Sequence, residues 1–246
     1  MKPHQSRYWL NGDPEEDAAE RIGQITSLYS QAKALSAQGE RVLSTDEMTG
    51  IQATERKYRT MPMGPGRVER REFEYIRHGT QTLIANWDVA LGGSVEPTIG
   101  QTRTESDFAA HIARTVASDP KVKRWHFVVD NLDTHKSESL VRLVAQHSGI
   151  DEELGKKGTR GILKSVESRE QFLTDASHTI VFHYTPKHAS WMNQIELWFS
   201  ILARKVLKRG SFKSTDDLKN RLLNFITYFN KTMAKPFKWT YKPFTA

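Results

Sequence analysis

Apolar residues recur along the chain with two different periods, and the switches between them mark out the elements. Over residues 14–38, Ile22, Ile25, Leu28, Tyr29 and Ala32 share one face at helical spacing. Glu15, Glu16 and Asp17 crowd the start of this stretch, where the positive end of a helix dipole favours acids. Residues 41–46 and 51–56 alternate as short strands with Glu47-Met48-Thr49-Gly50 between them, which predicts a β-hairpin. Residues 61–66, Met-Pro-Met-Gly-Pro-Gly, can continue neither strand nor helix and read as a loop. Further strands are predicted at 82–89, ended by Gly92-Gly93, at 125–130, and at 179–184, halted by Pro186. A helix over 104–118 has Thr104 and Asp107 as a start signal and Phe108, Ile112 and Val116 as its stripe. Others are predicted at about 137–147, 190–208 and 215–231, the last capped by Ser214 or Thr215. Strands first, then strands alternating with helices, predict an α/β fold in which helices pack on a mixed sheet.

Composition narrows the class of protein. The 246 residues suffice for one large domain or two small ones, and 37% hydrophobic residues, including six Trp and eleven Phe, can build a core. The absence of cysteine excludes disulfides and thiolate zinc sites. No signal peptide is legible at the amino terminus, and no run approaches the roughly 18 apolar residues of a membrane span, so the expectation is a soluble cytoplasmic protein with no membrane partner. The net charge of +7 is uneven: residues 201–246 hold eleven Lys or Arg against Asp216 and Asp217. A basic tail on a near-neutral body is the electrostatic footprint expected for a polyanion, although a solvated helix face gives the same count.

Three acidic residues stand in settings where a carboxylate is costly without a cation or hydrogen bonds. Asp46 closes the strand 41–46, and strand alternation sets it on a face with Val42 and Ser44, opposite Glu47. Glu47 begins the predicted turn and is expected to meet water; a turn-capping role for Asp46 before Thr49-Gly50 stays open. Asp130 ends Trp125-His126-Phe127-Val128-Val129 and precedes the polar run Asn131 to Lys136, at the kind of strand end where α/β sheets place ligands; Asp133 is its rival. Glu196 lies in Trp191-Met192-Asn193-Gln194-Ile195-Glu196-Leu197-Trp198-Phe199, about 120° from the centre of the stripe Trp191, Ile195, Trp198, Leu202 and Val206. Convergence of Asp46, Asp130 and Glu196 would make an oxygen-rich site suited to Mg²⁺, with Mn²⁺ as substitute.

Other signals are weaker. His126, His183 and His188 fit no common zinc spacing. Gly155-Lys156-Lys157-Gly158-Thr159-Arg160-Gly161 is glycine-rich and basic without the order of a nucleotide-binding loop. The segment Lys235-Pro236-Phe237-Lys238-Trp239-Thr240-Tyr241-Lys242 suits phosphate contact with base stacking, or equally a terminal segment docked by its rings.

Thr45-Asp46-Glu47, Val129-Asp130-Asn131 with Thr134-His135-Lys136, and His183-Tyr184-Thr185-Pro186 leading into Ser190-Trp191-Met192-Asn193-Gln194-Ile195-Glu196-Leu197-Trp198-Phe199 together resemble the DDE catalytic domain of bacterial insertion-sequence transposases. The branch is the mariner-like one, the IS-six-thirty family, and the resemblance spans nearly all of residues 40–240. It implies an RNase H-like fold, a mixed five-stranded sheet flanked by helices, and a metal-binding catalytic triad of Asp46, Asp130 and Glu196. It further implies two ions about 3.5–4 Å apart bridged by one carboxylate, most simply Asp46. The activity implied is metal-dependent DNA strand cleavage and strand transfer in cut-and-paste transposition on double-stranded DNA, with a homodimer as the acting unit. His135, Lys136, Lys187 and His188 are then candidates for phosphate contacts near the site, and Lys205, Lys208, Arg209 and Lys238 along the basic tail. The alternative is a catalytically silent DNA-binding or regulatory remnant.

Two departures from the family pattern remain. Glu196 follows Asp130 by 66 positions, about twice the family spacing, which predicts an insertion over roughly 150–177. Family members begin with helix-turn-helix domains, whereas this chain opens at Arg7-Tyr8-Trp9-Leu10, which looks like the linker after them. The expected organisation is a linker and helix over 1–38 and a catalytic domain over 39–246, as a fragment or one product of a split reading frame.

Overall fold

The computed structural model describes residues 17–151 and 153–241. The linker read at Arg7–Leu10 lies outside them. Five strands form one sheet: β1 (Glu40–Arg56), β2 (Tyr75–Asp88), β3 (Ser94–Gly100), β4 (Arg124–Val129) and β5 (Ile180–Tyr184), in the order β3-β2-β1-β4-β5. β1, β4 and β5 run parallel, while β2 is antiparallel to both of its neighbours. The helices are α1 (Ala18–Ala37), α2 (Glu105–Ala117), α3 (Glu138–His147), α4 (Val166–Leu173), α5 (Ile195–Leu202) and α6 (Thr215–Thr232). The mixed five-stranded sheet flanked by helices is the RNase H-like arrangement.

Alternation along the strands divides the core in two. Val42 and Val128 join Ile25 and Tyr29 of α1, Trp198 and Leu202 of α5, and Leu222 and Ile226 of α6 on one face. Leu43, Phe127 and Val129 join Phe108 and Ile112 of α2 and Leu140 and Val144 of α3 on the other. The capping signals read from sequence are present, since Thr104 and Asp107 form a reciprocal capping box on α2 and Ser214 caps α6; Ser137 caps α3 as well.

Two predicted elements differ from the sequence reading, and a third takes one of two readings left open. The hairpin over 41–56 is one continuous strand, bulged between Met48 and Ile51; its partner is β2, reached through the loop 57–74. Gly50, at φ 64°, supplies the irregular backbone of the bulge and not a chain reversal. The helix over 190–208 is interrupted: a 3-10 turn at Ser190–Met192 precedes α5, and a π turn at Ala203–Leu207 follows it. Trp191, counted in the buried stripe, is therefore exposed, while Ile195, Trp198 and Leu202 are buried. The aromatic tail is docked by its rings, the second of the two readings: Phe237 stacks on Trp87 at 4.4 Å, and Trp239 meets Tyr29 edge-on at 5.0 Å.

Candidate active site

The sheet register brings the two aspartates level. Ser44 pairs with Val128 in the parallel β1–β4 ladder, so two residues further on Asp46 faces Asp130, just beyond the end of β4. Asp46 belongs with Val42 and Ser44 to the face that carries α1 and α5, because side chains two apart on a strand share a face. Asp46 is buried. Its burial, and then the negative charge of Asp130, push its carboxyl up to about 8.

Asp130 experiences the opposite balance. Burial works against its charge, but a hydrogen bond and positive charge from His135, the Leu132 N–H and the charge of Arg103 together outweigh it and hold the carboxyl below its ordinary value. His135 Nδ1 lies 2.8 Å from Asp130 Oδ1, and its Nε2 lies 3.2 Å from Glu47 Oε2. Burial disfavours a charged imidazole here; hydrogen bonds to Asp130 and Glu47 and their charges prevail and raise it to about 10. Glu47 corrects the sequence reading, since its side chain is 2% exposed and holds His135 instead of meeting water. Alternation sends it to the α2 face, where the polar turn Asp133–Lys136 delivers His135 to it.

Asn193 couples the third acidic position to β1. Its Nδ2 donates to Thr45 O at 3.0 Å and to Asp46 Oδ2 at 3.3 Å, and its Oδ1 accepts from the Ser44 hydroxyl. Ser44 Oγ in turn accepts from Ile195 N–H at 2.8 Å, so the start of α5 is fastened beside Asp46. Glu196 sits in the first turn of α5, its N–H bonded to Asn193 O at 3.1 Å. Its side chain is exposed and forms no hydrogen bond or ion pair with another described residue. The structure thus brings Asp46 and Asp130 together and places Glu196 within one turn of the asparagine that holds Asp46.

The predicted phosphate contacts divide into two groups. His135 and Lys136 are buried, which corrects their assignment as DNA-facing residues. Lys136 Nζ lies 2.5 Å from Glu170, bonds to Asn131 and stands over the Tyr184 ring, so its charge is consumed inside the fold. Lys187 and His188 are exposed and line a cavity of about 210 Å³ with Asp130, Asn131 and Ser190. His188 has φ 61°, an uncommon backbone conformation for a non-glycine residue and one that marks the loop after Pro186 as specially shaped. Lys205, Lys208, Arg209 and Lys238 are exposed away from this cavity. Arg103, exposed and acting on Asp130 through its charge, was missed, because nothing in Gln101-Thr102-Arg103-Thr104 distinguishes it in sequence.

The donor set fits a hard divalent cation. Carboxylate oxygens are the ligands Mg²⁺ and Mn²⁺ prefer, and a cation here would relieve what raises the Asp46 carboxyl, its burial first and then the charge of Asp130. No three His, Asp or Glu side chains among the described residues are gathered to hold an ion by themselves.

Comparison with known proteins agrees with this geometry. The family described as "DDE superfamily endonuclease" matches residues 41–219. No curated protein sequence matches the chain. Among solved structures, a Mos1 transposase paired-end complex with left transposon end is similar at TM-score 0.53 and 15% identity, covering 92% of this chain and 59% of that one. The catalytic domain of Mos1 mariner transposase is similar at TM-score 0.50 and 12% identity, covering 89% and 85%. The Mos1 catalytic domain with raltegravir and Mg gives TM-score 0.50 and 12% identity over 88% and 85%. The chain thus spans 59% of the transposase chain in the paired-end complex.

Proposed function

We propose, from the premise that this chain belongs to the DDE superfamily of endonucleases, that it is the catalytic domain of a DNA transposase, cleaving DNA strands and joining the freed ends to a target. The observation that carries the reading is the Asp46–Asp130 pair: Asp46 on β1 stands level with Asp130 just beyond the end of the adjacent parallel strand β4, where burial and then the charge of Asp130 raise the Asp46 carboxyl. Asp46, Asp130 and Glu196 are the residues that would hold the divalent ions. Bound there, Mg²⁺ or Mn²⁺ supplies Lewis-acid stabilisation of charge on the phosphate oxygens.

The chain's own residues provide the frame. Asn193 and Ser44 fix the start of α5, and with it Glu196, against β1. His135 supplies a compensating positive charge beneath Asp130. Lys187 and His188 border the opening at Asp130 and are placed to meet a phosphodiester, and the charge of Arg103 acts on Asp130. The resemblance to mariner-like insertion-sequence transposases and the similarity to a transposase in complex with its transposon end support double-stranded DNA as substrate and a dimer as the acting unit.

Replacing Asp130 or Glu196 with Ala should abolish Mn²⁺-dependent plasmid nicking and leave DNA binding largely intact; nicking that survives either change contradicts the assignment. That no three such side chains among the described residues are gathered to hold an ion favours a second reading, a DNA-binding remnant without catalysis. That reading prevails if the wild-type chain binds DNA but does not nick it with Mn²⁺.

A further inference from the structure

His135 reaches neither solvent nor a DNA-facing surface, yet it is the most constrained side chain near the aspartates. Its ring lies against Phe108, with centroids 4.1 Å apart, and both of its nitrogens meet carboxylate oxygens: Nδ1 at Asp130 and Nε2 at Glu47. Rotating the ring breaks both contacts at once. The backbone on either side is also pinned. The Tyr184 hydroxyl donates to His135 O at 2.7 Å, and Arg169 Nε donates to Lys136 O at 2.6 Å. Arg169 Nη1 donates to Leu163 O, and its neighbour Glu170 pairs with Lys136. Arg169 and Glu170 both belong to α4, inside the segment that lengthens the spacing between Asp130 and Glu196.

Asp130 needs such support because it lies one residue beyond the β4 ladder, where the sheet no longer fixes its backbone, and its side chain is 31% exposed. Its Oδ1 accepts from Leu132 N–H at 3.2 Å and meets His135, whereas no hydrogen bond among the described residues takes Oδ2. One oxygen is fixed and the other left open.

We propose that His135 is a positioning residue that sets the carboxylate of Asp130 in its ion-binding orientation, with Glu47 anchoring the far side of the imidazole and α4 of the inserted segment holding the turn that carries it. The proposal rests on the reading of Asp130 as an ion ligand. It gives the insertion a task, to brace the turn Asp133–Lys136 from outside, and it accounts for a buried lysine whose charge reaches no substrate. Groups behind a metal ligand that fix its orientation commonly contribute 10–100-fold to metal affinity.

Two isosteric replacements separate the two ring nitrogens. An asparagine amide can take the place of Nδ1, and a glutamine amide the place of Nε2. In the full chain, His135→Asn keeps a donor to Asp130 but loses the Glu47 contact, so it should move the Asp130 side-chain carboxyl ¹³C resonance of the metal-free protein, and weaken Mn²⁺ binding measured by electron paramagnetic resonance, clearly less than the glutamine variant does. His135→Gln should move that resonance and weaken Mn²⁺ binding about 10–100-fold. Arg169→Met should act as the glutamine variant does, but less. Asn and Gln variants that behave alike overturn the proposal, since a space-filling role would lower stability without tracking Asp130. Should both His135 variants fail to fold, Glu47→Gln decides: an unmoved Asp130 resonance refutes the anchoring. A wild-type chain that binds no Mn²⁺ sinks the functional reading instead, and the metal-free resonance still decides this one.

Discussion

Asn193 makes three contacts with β1 from a position where the helical stripe gives no hint of them. Its amide ties Ser44, Thr45 and Asp46 to the start of α5, and among the described residues it is the donor that reaches Asp46 from another element. Asn193→Ala removes those bonds and deprives the buried Ser44 hydroxyl and Asp46 Oδ2 of this partner. The cost should be about 1–3 kcal/mol, read from urea denaturation; a loss within error of zero would show that the α5 anchor lies elsewhere. A second residue governs the response to acid. His111 is buried beneath α2, with Nδ1 2.7 Å from the Thr98 hydroxyl. Burial, aided by the charge of Arg114, depresses its imidazole to about 3. In the unfolded chain the same group takes a proton near pH 6.5, so its contribution to stability is complete above that pH and is lost as pH falls from there toward 3. His111→Leu should flatten the decline in urea midpoint between pH 7 and pH 4.5. His183, depressed in the same direction by burial and by His126, retains part of the slope. An unchanged slope in the variant would place the acid sensitivity outside His111.

Among the elements, α2 shows how far sequence signals carry. Thr104 and Asp107 predict its first turn, and both halves of the capping box are present. Thr104→Ala should therefore lower stability by about 1 kcal/mol, measured as a fall in urea midpoint with unchanged slope; an unaffected midpoint would mean that packing of Phe108 and Ile112 alone sets the helix start. Asp130 was legible for a similar reason, since an uninterrupted apolar run stops at it and a polar turn begins. Where sequence reasoning failed, a local pattern had two physical solutions. Met48 to Ile51 look like a turn, yet a bulge absorbs the same residues while β1 continues to pair with β2. Reading a turn there put Glu47 in water and hid its contact with His135. β3 went unread because Pro97 interrupts it, which only an edge strand tolerates. α4 has eight residues, of which only Arg169 and Leu173 are buried, too few for a stripe to show. The break before α5 comes from Asn193 bonding to β1, a tertiary contact that no helical periodicity contains.

At the scale of the whole molecule, the basic carboxyl-terminal region serves two different physical ends. Its aromatic residues close the core: Phe237 lies on Trp87, Trp239 on Tyr29, and Tyr241 meets Trp191 at 4.9 Å. Gly92 makes room for this segment, for at φ 79° a Cβ there would stand 1.9 Å from the Lys235 carbonyl carbon. The cations Lys205, Lys208 and Arg209 stay in solvent on the turn after α5. Stability and DNA affinity should therefore separate by substitution. Trp239→Ala opens a half-buried site and should cost about 2 kcal/mol, below the range for fully buried aromatic residues, without altering how DNA affinity depends on salt. Replacing Lys205, Lys208 and Arg209 together with Gln should leave the urea midpoint almost unchanged. The same triple change should reduce the slope of log K against log salt by about 2–3, since each cation that neutralises a phosphate contributes about 0.9. If instead Trp239→Ala abolishes DNA binding in a folded chain while the triple variant keeps the full slope, the rings and not the cations form the DNA-facing surface, and the tail must leave the core when DNA binds.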